Sequence, residues 1–104
     1  MLMSADTDVM RVLADPLRWK IVTLLARETL CTTHLAEETG ARQTNLSNHL
    51  KVLRDAGVVD TEPCGRFTYY SLRPEVIEAL AGSFTGLAAT ARATADAGRK
   101  RPCP

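Results

Sequence analysis

Gln43, Thr44, Asn45, Ser47 and Asn48, with Lys51, share one side of a helical pattern whose other side is Leu46, Leu50 and Leu53. Asn and Gln side chains make paired hydrogen bonds to adenine edges, and Ser and Thr bond bases or phosphates. An ordinary solvated helix face carries Glu and Lys, so this crowd of short amides and hydroxyls points to base reading. Arg42, Lys51, Arg54 and Arg66 gather positive charge around the same stretch, although the 104-residue chain has a net charge of only +1. A second kind of chemistry is available at the three thiols, Cys31, Cys64 and Cys103. They are odd in number and none pairs with C-x-x-C spacing, so they make neither a disulfide framework nor a local zinc ribbon.

The elements that must position these groups can be placed from the pattern. Thr33–Thr39 is expected to be a helix, Gly40-Ala41-Arg42 a tight turn, and Gln43 to about Ala56 a second helix that Gly57 stops. Leu46, Leu50 and Leu53 recur at i, i+4 and i+7, one buried stripe. Val58–Pro63 and Phe67–Leu72 read as strands joined through Cys64-Gly65-Arg66, with Arg66 at the tip. There its guanidinium can enter a minor groove or meet a phosphate. Helix, turn, helix and hairpin in this order make a winged helix-turn-helix, mainly α with a small β hairpin.

Upstream, Asp6–Leu13 reads as a short amphipathic helix with Val9, Val12 and Leu13 on one face. Asp15-Pro16 opens another, because Asp caps well and Pro suits a first turn. Leu17, Ile21, Leu24 and Leu25 form its buried stripe, while Trp19, between Arg18 and Lys20, is left open between core and surface. Thr29–Thr32 is an extended link fit to add a third strand, and Thr32 or Thr33 is expected to cap the next helix. Arg73-Pro74 opens the last helix, where Val76, Leu80, Phe84, Leu87 and Ala91 recur at spacings of four, four, three and four. So long a stripe exceeds what a 104-residue monomer easily covers. With Val9 and Val12 it is expected to form a homodimer interface through the first and last helices. The chain therefore divides into a winged helix-turn-helix and dimerisation domain, residues 1–97, and a flexible tail, 98–104.

The 45% hydrophobic and 24% charged composition fits one soluble globular domain. No apolar run approaches a membrane span. Met1-Leu2-Met3-Ser4-Ala5-Asp6 lacks the basic segment and apolar block of a secretory signal, so a cytoplasmic location is expected. No nucleophile, base and orienting group form a visible set, so an enzyme is not expected.

Leu13-Ala-Asp-Pro-Leu-Arg18 with Ile21-Val-Thr-Leu-Leu25, then Asn45 to Val58, then Gly65-Arg66-Phe-Thr-Tyr-Tyr70, resemble the opening helices, recognition helix and wing of the ArsR/SmtB family of bacterial metal-responsive repressors. The resemblance covers roughly residues 7 to 90. It implies a homodimer that binds a palindromic, double-stranded operator and falls off when an effector binds, with no organic cofactor and no membrane. It places His49 within the recognition-helix pattern, serving DNA or packing. The DNA-contacting set is then Arg42, Gln43, Thr44, Asn45, Ser47, Asn48, His49, Lys51 and Arg66.

The family's arsenic sensors carry a C-x-C-x-x-C run where this chain has Cys31-Thr-Thr-His-Leu-Ala36; Thr33 and Ala36 stand in place of the second and third cysteines. Its zinc sensors use histidines on the last helix, and this chain has none there. Cys103 resembles the tail cysteine of a cadmium- and lead-sensing branch, but Val52 and Ala56 replace that branch's helix cysteines. Thiolates are soft ligands. The expected effector is therefore As(III), with Sb(III), Cd(II) and Cu(I) as alternatives, bound by Cys31 and Cys103. Cys64 is harder to place, about four residues or roughly 13 Å along the strand from positions facing Cys31. Two other readings stand beside this one: a redox-responsive or non-metal-sensing repressor of the same type, switched in the redox case by oxidised Cys31 or Cys103, and a protein-interaction module whose winged helix binds no DNA.

Overall fold

The computed structural model describes residues 4–104. Met1 to Met3, on which part of the expectation about a secretory signal rests, lie outside the described residues. The element order is α1 (Ser4–Leu13), α2 (Pro16–Leu25), β1 (Leu30–Cys31), α3 (Thr32–Thr39), α4 (Gln43–Asp55), β2 (Val59–Cys64), β3 (Phe67–Leu72) and α5 (Pro74–Ala97). The three strands form an antiparallel sheet in the order β1-β3-β2. The extended link upstream of α3 is thus a third strand, pairing Leu30 with Tyr70 and Cys31 with Tyr69.

Several helix ends have a local cause. Asp15 is extended, and its carboxylate accepts the backbone N–H of Leu17 at 2.9 Å and of Arg18 at 3.0 Å, capping α2. The cap of α3 is Cys31, not Thr32 or Thr33: β1 keeps Cys31 extended, so the helix begins one residue earlier than expected. Gly40, at φ 73°, closes α3 in the left-handed conformation. After α4, the Val58 N–H reaches the Leu53 carbonyl and the Gly57 N–H that of Arg54, each at 3.0 Å. With Gly57 at φ 76° this is a Schellman stop, and its two apolar ends, Leu53 and Val58, are fully buried. The hairpin loop is two residues, Gly65-Arg66, because Cys64 pairs with Phe67. Only Gly65 has a positive φ there, which fits a type II′ turn with glycine first.

The core joins Val9 and Leu13 of α1, Ile21, Val22 and Leu25 of α2, Leu35 of α3, Leu46, Leu50 and Leu53 of α4, and Leu80 of α5. Two expectations change here. Val9 lies in the chain's own core, so it is not free for a dimer surface, and Val12 is partly buried against that core; Met10, also packed against the core, and Ala14, just after α1, line a groove. The α5 stripe also divides. Val76 and Leu80 pack inward, whereas Phe84, Leu87 and Ala91 are exposed. The 24-residue α5 runs about 36 Å at helical rise, and its far half leaves the core behind. The radius of gyration, 18.0 Å, compares with about 13 Å for a compact domain of this length.

Two carboxyls link the fold to pH. The backbone N–H of Arg18, with smaller help from His49, Arg18 itself and Leu17, holds Asp15 below the ordinary carboxylate range. Glu75 is lowered by its own backbone N–H and then by Arg73, whose Nε lies 2.8 Å from its Oε1. Carboxyls lowered by folding contribute stability that is complete above their unfolded pKa and lost as pH falls through the folded one. Melting temperature should therefore fall below about pH 4. The Asp15→Asn variant, which keeps a capping oxygen, should show a shallower acid limb in the same series of melts.

Candidate nucleic-acid interface

The buried stripe of α4 fixes which way its polar face points. With Leu46, Leu50 and Leu53 sealed against the core, Gln43, Thr44, Asn45, Ser47, Asn48 and Lys51 are exposed together. Among the described residues, no hydrogen bond engages the side chains of Gln43, Thr44, Asn45, Ser47 or Asn48. Lys51 makes one exposed ion pair, with Asp55 at 3.5 Å, a weak tie in water. The helix also begins without a side-chain cap, since Arg42 supplies none. Its first N–H groups stay open, the arrangement that favours a phosphate at a helix N-terminus. Arg42 is exposed beside that end, and Arg66 is exposed at the hairpin tip. Phe67, next to Arg66, is half exposed as well.

His49 stands apart from the other eight residues of the expected set. It is partly buried on the flank of α4 that faces α2, where its Nδ1 lies 3.1 Å from an Arg18 guanidinium nitrogen and 4.0 Å from Asp15 Oδ1. Arg18 also donates through Nε to the Val12 carbonyl at 2.6 Å. These contacts tie α4 to the start of α2 and to the end of α1, which gives His49 a packing role.

The three thiols are not brought together. Cys31 is buried, and Cys64 and Cys103 are exposed. Cys31 opposes Tyr69, which opposes Glu62, so Cys64 stands two residues along and two strands across from Cys31. That offset is roughly 7 Å by 10 Å, in place of the four residues along one direction expected from sequence. Cys103 lies in the irregular segment that follows Gly98. Among the described residues, no three Cys, His, Asp or Glu side chains are close enough to hold a metal ion. A three-sulfur arsenite site therefore does not fit the donors in this arrangement.

What Cys31 does have is His34. The His34 Nδ1 lies 3.4 Å from Cys31 Sγ and accepts the Cys31 backbone N–H at 3.2 Å. The ring meets Tyr69 edge-on, with centroids 6.0 Å apart. Sequence inspection counted cysteines and passed over this pair, although its i, i+3 spacing at a helix start was a visible signal.

The model of the arsR family of bacterial regulatory proteins matches residues 15–61, from the α2 cap into β2. A transcriptional repressor of Bacillus subtilis, SdpR, is 32% identical over 71 residues, which cover 68% of this chain and 79% of that protein. The chain belongs to the ArsR family. Its fold and family are those of DNA-binding transcriptional regulators, not of enzymes. An arsenic resistance transcriptional regulator of Pseudomonas putida is 39% identical over 69 residues. The alignment covers 65% of this ArsR-family chain but 54% of that regulator, so it spans about half of the relative's length. A solved structure described as a possible transcriptional regulator for arsenical resistance is 34% identical, with a TM-score of 0.71 over 86% of this chain and 95% of that one. Among the described residues, no helix is long and apolar enough to cross a membrane.

Proposed function

We propose that this chain is a homodimeric repressor that binds a palindromic DNA operator and is released by a thiophilic metal or metalloid ion, with As(III) as the first candidate. The observation that carries the DNA role is the unbonded amide and hydroxyl face of α4, flanked by Arg42 and Arg66. Asn45 and Asn48 suit adenine edges, Lys51 and Arg42 suit phosphates, and Arg66 suits a minor groove. The unaccompanied outer half of α5 supports the dimer. Two recognition helices set about 34–36 Å apart would enter successive major grooves. The effector reading draws on the arsenical function named for the Pseudomonas putida relative and on the thiols Cys31, Cys103 and Cys64. Pairing two of these sulfurs would need the tail to bring Cys103 to Cys31, from the same chain or a second copy, while Cys64 stays two strands away. Ligation must then favour the DNA-free conformer by about 2.7 kcal/mol for a hundredfold loss of affinity.

The test is fluorescence anisotropy on the chain's own promoter DNA with reduced protein. Asn48→Ala and Arg66→Ala should each weaken binding about tenfold. As(III) at near-stoichiometric levels should release the wild type, and Cys31→Ser should bind DNA normally but resist release. Unchanged binding in both DNA-face variants would remove the operator role and leave a protein-interaction module. Release by peroxide and not by any ion would transfer the switch to cysteine oxidation.

A further inference from the structure

We propose that His49 is a positioning residue for operator binding, neutral while it accepts from Arg18, and that a proton breaks this link and lowers operator affinity. The inference rests on the DNA role proposed above and adds its regulation. Three contacts carry it. Arg18 donates through Nε to the Val12 carbonyl at 2.6 Å, and its Nη1 lies 3.1 Å from His49 Nδ1. Asp15 Oδ1 stands 4.0 Å from the same ring nitrogen. One guanidinium thus spans the end of α1 and the flank of α4. His49 sits between the exposed Asn48 and the buried Leu50, so where its ring is held bears on where the amides point.

A guanidinium has donors only and keeps its charge. Its contact with Nδ1 therefore requires the lone pair of that nitrogen, which puts the ring proton on Nε2. Protonation turns Nδ1 into a donor facing a second donor of the same charge. The acceptor at hand is Asp15 Oδ1, which already takes the Leu17 and Arg18 N–H groups that cap α2. From 4.0 Å, a charge-assisted bond of about 2.8 Å requires roughly 1 Å of movement. The ring leaves Arg18 for the α2 cap, and α4 shifts with it. Among the described residues, no other hydrogen bond or ion pair engages the ring: α3 and β2, also packed on α4, make none with it, and Lys51 on its own helix turns to Asp55. Hydrogen bonds to base edges hold over about half an ångström, so a shift of this size lowers affinity. By linkage, operator binding expels protons where histidine side chains titrate, between about pH 5 and 8.

The experiment measures operator affinity of the full-length, reduced protein by fluorescence anisotropy at about pH 7.5 and about pH 5.5. Wild-type affinity should fall about tenfold in acid, while melting curves show a folded protein at both values. His49→Gln keeps an acceptor for Arg18 but takes no proton, and its affinity should be the same at both. His34→Gln, at the chain's other histidine, should keep the wild-type response. At the higher pH, His49→Ala should weaken binding about tenfold. His49→Gln should recover most of that loss, and His49→Leu, which fills the space without an acceptor, should recover little. The slope of log affinity against log salt should not change with pH. A direct contact of His49 with a phosphate predicts the opposite, tighter binding in acid and a slope steeper by about 0.9. That result, or an equal acid loss in wild type and His49→Gln, overturns the proposal. So does a proton on Nδ1 at the higher pH, read from nitrogen spectra of histidine-labelled, DNA-free protein. Failure to bind operator at either pH, with the proton on Nε2 and an acid shift of α4 amide resonances that His49→Gln abolishes, would uphold the exchange of partners while refuting the repressor.

Discussion

The Phe84→Glu, Leu87→Glu double variant is expected to stay folded, to sediment as a monomer and to lose operator affinity by a hundredfold or more, about 2.7 kcal/mol. Phe84 is 47% and Leu87 62% exposed, on the part of α5 that has left the core. Charges at such positions change the stability of an isolated domain by only about 0.5 kcal/mol. The same charges brought face to face across a dimer would be desolvated and repel each other. Beside them lies an apolar groove of about 430 Å³, lined by Met10, Leu13, Ala14, Trp19, Ile77, Leu80, Ala81 and Phe84. Continuous apolar surface of this kind on a small domain marks an interaction site, and a second copy would cover both groove and helix. Operator affinity should fall with the dimer, because a monomer engages one half-site and loses the gain from linking two. Sedimentation equilibrium and anisotropy on the same preparations provide the check. A double variant that remains dimeric would place the interface elsewhere.

Leu50→Ala is expected to lower unfolding free energy by about 2–5 kcal/mol. Leu50 is 1% exposed and lies between Leu46 and Leu53, both at 0%, where α4 meets the core. The cavity would sit directly beneath Ser47, Asn48 and Lys51, so the loss bears on the helix that carries the polar face. Against a total of about 5–15 kcal/mol for a small domain, it should lower the melting temperature by more than about 10 °C. Val52→Ala, on the same helix but 38% exposed, should cost about 0.5 kcal/mol or less. Urea unfolding of both variants at one protomer concentration makes the comparison, since an associating protein's stability depends on concentration. Equal losses at the two positions would mean that α4 is not seated by the Leu46–Leu50–Leu53 stripe.

Much of the chain was legible from sequence because it rests on short-range rules. The Asp15-Pro16 start, the Gly40 and Gly57 stops, the Leu46–Leu50–Leu53 stripe and the strand over Phe67–Leu72 each depend on residues within a few positions of one another. The polar face of α4 follows directly, since a helix that buries one stripe must expose the other. The family resemblance rested on these same segments. Tertiary structure decided what periodicity cannot distinguish. Val9 has the same apolar character as Phe84, yet Val9 enters the chain's own core and Phe84 stays half exposed on the outer groove. A stripe records that a face is apolar, not which surface meets it. Trp19, open between core and surface in the sequence, is 58% exposed on the groove. His49 shares a helix with the exposed amides, but its position beside Arg18 and Asp15 exists only once α2 and α4 cross. The thiols make the same point. Composition counted three, whereas the sheet register separates Cys31 from Cys64 and the helix start joins Cys31 to His34. Distances between groups far apart in the chain are set by how elements pack, and local propensity carries no record of them.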